Sequence, residues 1–308
     1  MIFKNFSQEH KELWGRHTVQ LDHTLHEHEL FQDEALMELI DKYPREHYNL
    51  TTMAEPGAPK AFWREGEKGD ASGADVFEAV AKGRIWINMR RVMDVDHRYA
   101  DILDEMFEEM ADHVPGFETF KRNMGILVSS PGAQVYYHCD VPGQALWQVR
   151  GRKKVYLYPN TAPFLPEPEM EKVITGETEE EIHYEKWFDD YADVIELAPG
   201  QMLHWPLNAP HRVENLGMLN VSITTEHYTS DIRTQYAVRY ANGILRSRLG
   251  LQNLSPHIDG PMVYPKMALA AGIKFGGLQK SKAVQRMVNF RVAKDKPEGY
   301  VDIPEYAL

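Results

Sequence analysis

The sequence contains little cysteine and no long apolar run. Cys139 is the single cysteine in 308 residues, which excludes an internal disulfide and is typical of proteins in a reducing compartment. No window approaches the roughly 18 consecutive apolar residues of a membrane-spanning helix. The first residues, MIFKNFSQEHKELW, also lack the apolar centre of a signal peptide. We therefore expect a cytoplasmic protein without a membrane span.

Positive charge is in short supply as well. Lys and Arg number 34 against 46 Asp and Glu, which gives a formal net charge of −12. This balance argues against nonspecific binding to nucleic acid or to an anionic membrane, so we expect no nucleic-acid partner. With 43% hydrophobic and 26% charged residues, the chain is long and apolar enough for one large globular domain with additions.

A His-x-Asp pair follows a predicted strand. His138 and Asp140 are two positions apart, so on a strand their side chains share one face. His211 is a candidate third ligand, because it follows the Pro- and Gly-punctuated segment 199–210 and lies between two predicted strands. Two imidazoles and a carboxylate form the facial triad of non-haem Fe(II) sites, which leaves positions for O2 and a co-substrate. Cys139 would point away from the metal, as a small buried residue.

A lysine is predicted on the inner face of the next strand. Alternation over residues 153–158 places Lys153 with two aliphatic side chains, and a buried, unpaired ammonium group is costly. A ligand carboxylate relieves that cost. A dicarboxylate co-substrate that chelates the metal at one end and meets Lys153 at the other fits these features. Tyr136 shares the face of His138, so it is either a second co-substrate contact or a packed strand aromatic.

These motifs resemble the JmjC/cupin-like Fe(II)- and 2-oxoglutarate-dependent oxygenases. The resemblance covers roughly residues 84–228 and rests on His-x-Asp, on a Pro-Gly to Pro-His segment that ends at His211, and on Gly151-x-Lys153-Lys154-x-x-Leu157-Tyr158-Pro159. It implies an all-β core, a double-stranded β-helix (jelly-roll) barrel, with flanking N-terminal and C-terminal helices. It also implies His138, Asp140 and His211 as catalytic iron ligands, and Lys153 as the partner of the distal carboxylate of 2-oxoglutarate.

The same resemblance implies a reaction. Oxidative decarboxylation of 2-oxoglutarate by O2 at Fe(II) would drive hydroxylation of a protein side chain or a small molecule, lipid or sugar. Two positions depart from the protein-hydroxylating branch of the family. Val135 stands where that branch often has a co-substrate-binding Thr, and Gln144 and Gln148 are the nearest amides to the usual Asn. We take Gln144 as the candidate co-substrate contact.

Two other functional classes share these features. A cupin that binds a small ligand without turnover, as a regulator or sugar-binding module, has the same fold, although the triad favours an enzyme. A cupin isomerase or a Zn or Mn hydrolase uses the same ligand types, although an inward Lys153 disfavours it. No motif indicates the substrate. Residues that could line its pocket are His204, Trp205, Trp147, Arg150 and the Gly-rich segment.

The chain divides into three predicted regions. They are an N-terminal helical and loop region (1–83), the catalytic core (84–228) with an acidic insertion (160–190), and a C-terminal helical extension (229–308). We expect the first 30 residues, rich in His and Glu, to be solvated, and we expect the Gly- and Pro-rich segment 54–73 to be a loop that covers the barrel opening. Predicted helices span Asp33–Tyr43, Asp96–His113, Asp231–Leu249 and the short apolar Met267–Ala271, with a late strand at Phe290–Val292.

Three local patterns complete the set of expectations. Asn123–Val128 and Val135–Asp140 are predicted to form a hairpin. The run Glu177–Glu181 is predicted to be a solvated face, with His183-x-Glu185 as a rival metal-binding pair. On the last long helix, Ile232, Tyr236 and Tyr240 form an apolar stripe that must be covered by the barrel or by a second copy. From it we expect a homodimer built partly on residues 231–280.

Overall fold

A computed structural model describes residues 1–53, 63–180, 182–277 and 286–308. The strands in these ranges are β1 (Val19–Asp22), β2 (Tyr48–Met53), β3 (Trp63–Glu67), β4 (Ile85–Met89), β5 (Phe120–Ser129), β6 (Gln134–His138), β7 (Gly143–Arg150), β8 (Lys153–Leu157), β9 (Asp193–Leu197), β10 (Gln201–His204), β11 (His211–Asn215), β12 (Asn220–Tyr228), β13 (Met287–Val292) and β14 (Tyr300–Ala307). The α-helices are α1 (Gln8–Leu13), α2 (Asp33–Lys42), α3 (Gly73–Lys82), α4 (Val92–Val95), α5 (His97–His113), α6 (Glu167–Thr175), α7 (Ser230–Leu249) and α8 (Val263–Phe275).

The described strands form two sheets that pack on each other. The large sheet has the order β1-β10-β7-β12-β5-β4-β2-β3-β13-β14, and the small sheet has the order β6-β11-β8-β9. Leu146 and Leu203 of the large sheet share an apolar cluster with Val155, Leu157 and Val213 of the small sheet. The β-rich core with helical additions confirms the predicted fold class, in the form of two sheets that face each other.

Strand alternation places side chains on the inner face of the small sheet. On β8, Lys153, Val155 and Leu157 are buried, whereas the residues between them are half-buried. The turn before β8 needs a glycine, because Gly151 has a φ of +76° and an added Cβ would lie 2.5 Å from the carbonyl oxygen of Leu219. Lys153 thus enters the space between the sheets, as period-two alternation predicts.

Helices cover the other face of the large sheet. Helix α5 is capped by Asp96, whose side chain accepts a hydrogen bond from the backbone N–H of Arg98 and so satisfies a free donor of the first turn. Its buried residues join strand residues such as Ile87 and Ile126 in the main apolar cluster. The predicted helix is confirmed, and its buried side chains form one apolar face: Tyr99, Ile102, Leu103, Met106, Phe107 and Met110. Because the helices pack on the outer face of the large sheet, its inner face remains available to border a cavity between the two sheets.

The predicted hairpin before the His-x-Asp pair is wrong. Strand β5 pairs with β4 and β12 in the large sheet, whereas β6 pairs with β11 in the small sheet. Residues 130–133 carry the chain from one sheet to the other, and Asn215 holds this crossing by donating to Ser129 Oγ and the carbonyl oxygen of Ser130, both at 2.8 Å. Strand β6 forms with a different partner and ends at His138, two residues before the predicted end, so Asp140 lies in the segment that follows the strand.

The first 30 residues are not a solvated segment. Strand β1 pairs with β10 at an edge of the large sheet, and Phe3, Leu21 and Leu25 are at most 2% exposed. Apolar residues are spaced too irregularly here for a period to appear, and the burial comes from long-range contacts with α5 and β7. Of the predicted loop 54–73, residues 54–62 lie outside the described residues, and β3 occupies 63–67.

The C-terminal region contains strands as well as helices. Helix α7 matches the predicted span closely, and α8 extends the predicted Met267–Ala271 helix at both ends. Beyond them, β13 pairs with β3 and with β14, so the end of the chain completes the large sheet. Among the described helices, none is at once long and apolar enough to cross a membrane.

Candidate metal centre and its cavity

Three predicted ligands converge at one end of the small sheet. His138 ends β6 and His211 begins β11, and the two residues are direct partners in the strand pairing. Asp140 follows His138 by two residues. Ligand atoms from the three side chains all lie within 4.8 Å of one another. The Nε2 atoms of His138 and His211 are 3.8 and 3.2 Å from the Asp140 carboxylate oxygens.

Both imidazoles are oriented by the backbone. His138 Nδ1 lies 2.8 Å from the carbonyl oxygen of Tyr136, and His211 Nδ1 lies 3.1 Å from that of Ala209. A carbonyl only accepts, so each Nδ1 must carry the proton. The lone pair of each Nε2 is then free and points towards Asp140. Metal-bound histidines are held in this way by an outer acceptor.

One carboxylate oxygen of Asp140 lacks a hydrogen-bond partner among the described residues. Asp140 is 6% exposed, and its Oδ2 accepts no hydrogen bond from the described residues. Burial, together with the charges of Glu180 and Glu226, raises the pKa of Asp140 well above its usual value. Burial also lowers the pKa of both histidines. A divalent cation would neutralise the buried carboxylate of Asp140 and bind the neutral form of both histidines, so the residues present fit a metal ion.

Lys153 lies in the same cavity without a counter-ion. It is 4% exposed, and burial alone lowers its pKa to about 7. No carboxylate in the described ranges pairs with it, and the glutamates that perturb Asp140 are not among the causes of its shift. The neighbouring Lys154 instead faces outward, 3.7 Å from Glu196. Lys153 is therefore positioned to receive an anion that enters the cavity.

The cavity joins the metal ligands to Lys153. Its volume is about 540 Å³, and its walls include Tyr136, Gln144 and Val135 together with the three ligands and Lys153. Tyr136 packs edge-on against Trp63, with 4.8 Å between ring centroids, and its hydroxyl is buried without a partner among the described residues. All six residues that the sequence indicated as metal ligands or co-substrate contacts thus border one space.

Several cavity residues were not expected from the sequence. Glu179 and Glu180 border the cavity and, like the rest of the described acidic run, they are exposed as predicted; Glu181 lies outside the described residues. Although Glu180 is exposed, partial loss of water around its carboxyl group and the charge of Glu226 raise its pKa. Four side chains of the large sheet also border the cavity: Trp86, Asn88, Thr224 and Glu226. They alternate with buried core residues on β4 and β12, so the period-two pattern of these strands would have indicated that they face away from the core.

Of the residues suggested for a substrate pocket, Trp205 borders the cavity, and so does Trp63 of the Gly-rich segment. His204 stacks on Trp14 with ring centroids 4.2 Å apart. Trp147 packs against Phe3 on the opposite face of the large sheet, and Arg150 pairs with Asp33. Gln148 is fully buried and donates to Asn220. These four residues serve the core or the surface, and residues 54–62 of the Gly-rich segment lie outside the described residues.

The rival metal-binding pair does not form a site. His183 and Glu185 are 3.0 Å apart, and their side chains are 60% and 52% exposed. No third ligand joins them within the described residues, where the only group of three or more suitable side chains is His138, Asp140 and His211. Cys139 is fully buried and turned away from the ligands, beside Met170 of α6.

Comparisons with known proteins agree with this architecture. A search of curated proteins found no significant match. The X-ray structure of ycfD from Escherichia coli is similar, with 14% identity, a TM-score of 0.51, and coverage of 92% of this chain and 70% of that one. A structure of YcfD described as a ribosomal oxygenase from Escherichia coli, in complex with cobalt and 2-oxoglutarate, shares 14% identity over 90% of this chain and 68% of that one, with a TM-score of 0.49.

Likeness at this identity shows the fold, whereas the family is established by a sequence profile. The profile of the cupin-like domain matches residues 64–231, more than half of the chain. The matched range contains His138, Asp140, Lys153 and His211, the residues on which the resemblance was based. The chain therefore belongs to the cupin-like domain family.

Proposed function

We propose that this protein is an Fe(II)- and 2-oxoglutarate-dependent oxygenase that hydroxylates a protein side chain or a small molecule. One observation carries the proposal: a two-histidine, one-carboxylate cluster borders the same cavity as a buried Lys153 that has no counter-ion among the described residues. The cluster fits a metal with open positions, and Lys153 fits the far carboxylate of a chelating dicarboxylate. The cluster alone is compatible with many metal enzymes, and a lone lysine could bind many anions. Together they fit 2-oxoglutarate, which can chelate a metal at one end and present a carboxylate to Lys153 at the other.

The chain's own groups have defined tasks in this proposal. His138, Asp140 and His211 would hold Fe(II), which supplies the activation of O2 when it is bound. Lys153 would bind the distal carboxylate of 2-oxoglutarate and so fix the direction of the molecule in the cavity. Tyr136 has an unpaired hydroxyl in the same wall, and it is the better supported second contact. Gln144 borders the cavity and is the remaining candidate.

The overall reaction balances without a further reductant. One molecule each of 2-oxoglutarate, O2 and substrate R–H gives succinate, CO2 and R–OH. Two electrons come from the oxidative decarboxylation and two from the C–H bond, which together reduce O2 by four electrons. The protein contributes binding, orientation and exclusion of water, while the metal and co-substrate provide the redox chemistry.

The other functional classes remain defined alternatives. A cupin that only binds a ligand would bind 2-oxoglutarate without consuming it, and a hydrolase or isomerase would work without O2. The three metal ligands favour an enzyme over a protein that only binds a ligand, and Lys153 speaks against a hydrolase or isomerase, which needs no buried ammonium group beside the metal. We also propose that the division at residues 83 and 228 separates the catalytic core from its additions, and that the chain is a homodimer.

Co-substrate binding gives the first test of the proposal. We would titrate 2-oxoglutarate calorimetrically into the Mn(II)-loaded protein and into the Lys153→Met and Lys154→Met variants. We expect micromolar to low-millimolar binding by wild type and by Lys154→Met, and at least a tenfold weaker affinity for Lys153→Met. The outward Lys154 is the matched control. Equal affinities of the two variants, or no binding by wild type, would contradict the assigned role of the cavity.

A further inference from the structure

The metal ligand Asp140 is attached to the C-terminal helices through a chain of hydrogen bonds. The side-chain amide of Asn208 donates from Nδ2 to the backbone carbonyl oxygen of Asp140 at 2.6 Å. Asn208 lies in the segment between β10 and β11, three residues before His211. It therefore connects the loop that carries Asp140 with the segment that leads into His211 at the start of β11.

The orientation of the Asn208 amide is dictated by an arginine of α7. Arg239 donates from Nη1 to Asn208 Oδ1 at 2.7 Å. A guanidinium group only donates, so it must face the oxygen of the amide and leave the NH2 group towards Asp140. Asn208 is 5% exposed and has a φ of +60°, a conformation that asparagine tolerates better than most residues. Both its backbone and its side chain are thus suited to this position.

Arg239 is itself held by a carboxylate. Its Nε and Nη2 atoms donate to the two carboxylate oxygens of Glu167, at 3.0 and 2.9 Å. This two-point pairing fixes the plane of the guanidinium group. Glu167 begins α6, so the chain of contacts runs from α6 through α7 to the metal ligand. The loop has a second attachment to the same helices, because the side chain of Cys139 belongs to the apolar cluster of Met170 and Tyr240.

The structure assigns Asn208 and Arg239 as positioning residues of the metal centre. They touch neither the proposed metal nor the cavity, and they act on Asp140 through its backbone. The C-terminal helices, whose role the sequence left open, would then set the position of a ligand in the catalytic core. This inference deepens the proposed function and rests on the metal site contained in it.

A second arginine of α7 provides a matched control. Arg246 pairs with Glu171 of α6, with Nε 2.6 Å from Oε2, just as Arg239 pairs with Glu167. Both arginines join the same two helices, and their side chains are 18% and 12% exposed. Of the two, only Arg239 continues to Asn208. If substitution of Arg239 affects metal binding and substitution of Arg246 does not, the effect arises from the connection to Asp140 rather than from the packing of α6 on α7.

The test uses the metal alone. Mn(II) affinity and the absorption spectrum of the Co(II)-loaded protein would be measured for the full chain and for Arg239→Met, Arg246→Met and Asn208→Gly. Glycine keeps the positive φ while removing the amide, so Asn208→Gly remains informative if Arg239→Met does not fold. We expect Arg239→Met and Asn208→Gly to weaken Mn(II) binding by roughly tenfold or more and to alter the Co(II) spectrum. Arg246→Met should stay within about twofold of wild type and keep its spectrum.

The outcomes separate this inference from the proposed function. Wild-type affinity and spectrum in Asn208→Gly, or equal losses in Arg239→Met and Arg246→Met, would overturn the positioning role. A wild-type protein that binds no metal overturns both proposals. A protein that binds metal and loses affinity as expected, yet never consumes 2-oxoglutarate, supports the positioning role and contradicts the oxygenase.

Discussion

His138 and His211 face each other across the pairing of β6 and β11, with ring centroids 4.1 Å apart. In each case Nδ1 is held by the carbonyl oxygen two residues earlier in the chain. The same local device therefore orients both rings and leaves both Nε2 atoms available. Asp140 completes the group from the loop that follows β6, and its backbone carbonyl oxygen accepts a hydrogen bond from Asn208.

The first prediction concerns the ligands. Asp140→Asn should abolish tight Mn(II) binding, because the amide lacks the negative charge that the cation needs. The same change should leave the metal-free protein as stable as wild type or more stable, since the unpaired buried carboxylate is removed. Calorimetric metal titration and thermal unfolding measure the two effects. The control is a double variant of the exposed pair, His183→Ala with Glu185→Ala. Loss of metal binding in this control would show that the metal site lies at His183 and Glu185.

The second prediction concerns the stability of the metal-free protein. Burial lowers the pKa of Lys153 to about 7 from its ordinary value of 10.5. Folding therefore carries the free-energy cost of a buried ammonium group. This cost is at its maximum below pH 7 and disappears as the pH rises towards 10.5. Lys153→Met should therefore stabilise the chain by roughly 3–5 kcal/mol at pH 6 and by less than about 1 kcal/mol at pH 10. Urea unfolding at both pH values gives the difference. An effect independent of pH would show that Lys153 is not buried as an isolated amine.

The third prediction is the pH dependence of co-substrate binding. A dicarboxylate needs the ammonium form of Lys153, which the free protein loses as pH rises through about 7. The affinity of the Mn(II)-loaded protein for 2-oxoglutarate should fall by up to tenfold per pH unit above pH 7. Lys153→Arg keeps its charge and should flatten this dependence, even if it binds more weakly. If the affinity of wild type and of Lys153→Arg fell equally with pH, the titrating group would be a residue other than Lys153.

The fourth prediction concerns assembly. Tyr240 is 4% exposed and packs with residues of α6 and α8, so the apolar stripe of α7 is covered within the chain, at least at this residue. If residues 231–280 form a homodimer interface, exposed side chains such as Tyr264 and Phe275, at 76% and 88%, are the better candidates. Light scattering should show a dimer that Tyr264→Glu with Phe275→Glu converts to a folded monomer. Tyr240→Glu should instead unfold the chain, and a monomeric wild type would refute the dimer.

Local sequence patterns predicted the centre of the site well. His138 and Lys153 could be placed because strand alternation is a short-range property, and His211 because turn residues precede its strand. The family resemblance supplied their chemical roles. The partner of β6 could not be predicted in the same way, since residues 130–133 suit a hairpin as well as a crossing between sheets.

Long-range contacts account for what the sequence did not indicate. Arg239 is one of several arginines on α7, and nothing in its neighbours distinguishes it from Arg246; only the fold brings it to Asn208. Strand β1 is recognised by its pairing with β10 rather than by its composition. Likewise, Glu179 and Glu180 belong to a charge run whose ordinary place is the surface, and the closeness of Glu180 to Asp140 depends on how the insertion folds.

Isotope tracing is the decisive experiment for oxygenase chemistry at this centre. The protein, Fe(II) and 2-oxoglutarate would be incubated under 18O2 with a cell extract as the source of substrate, and succinate would be analysed by mass spectrometry beside an Asp140→Asn control. We expect succinate that carries one 18O atom, formed by wild type and reduced to background in the control. Succinate without label, equal amounts in both samples, or binding of 2-oxoglutarate with no succinate at all would contradict an oxygenase.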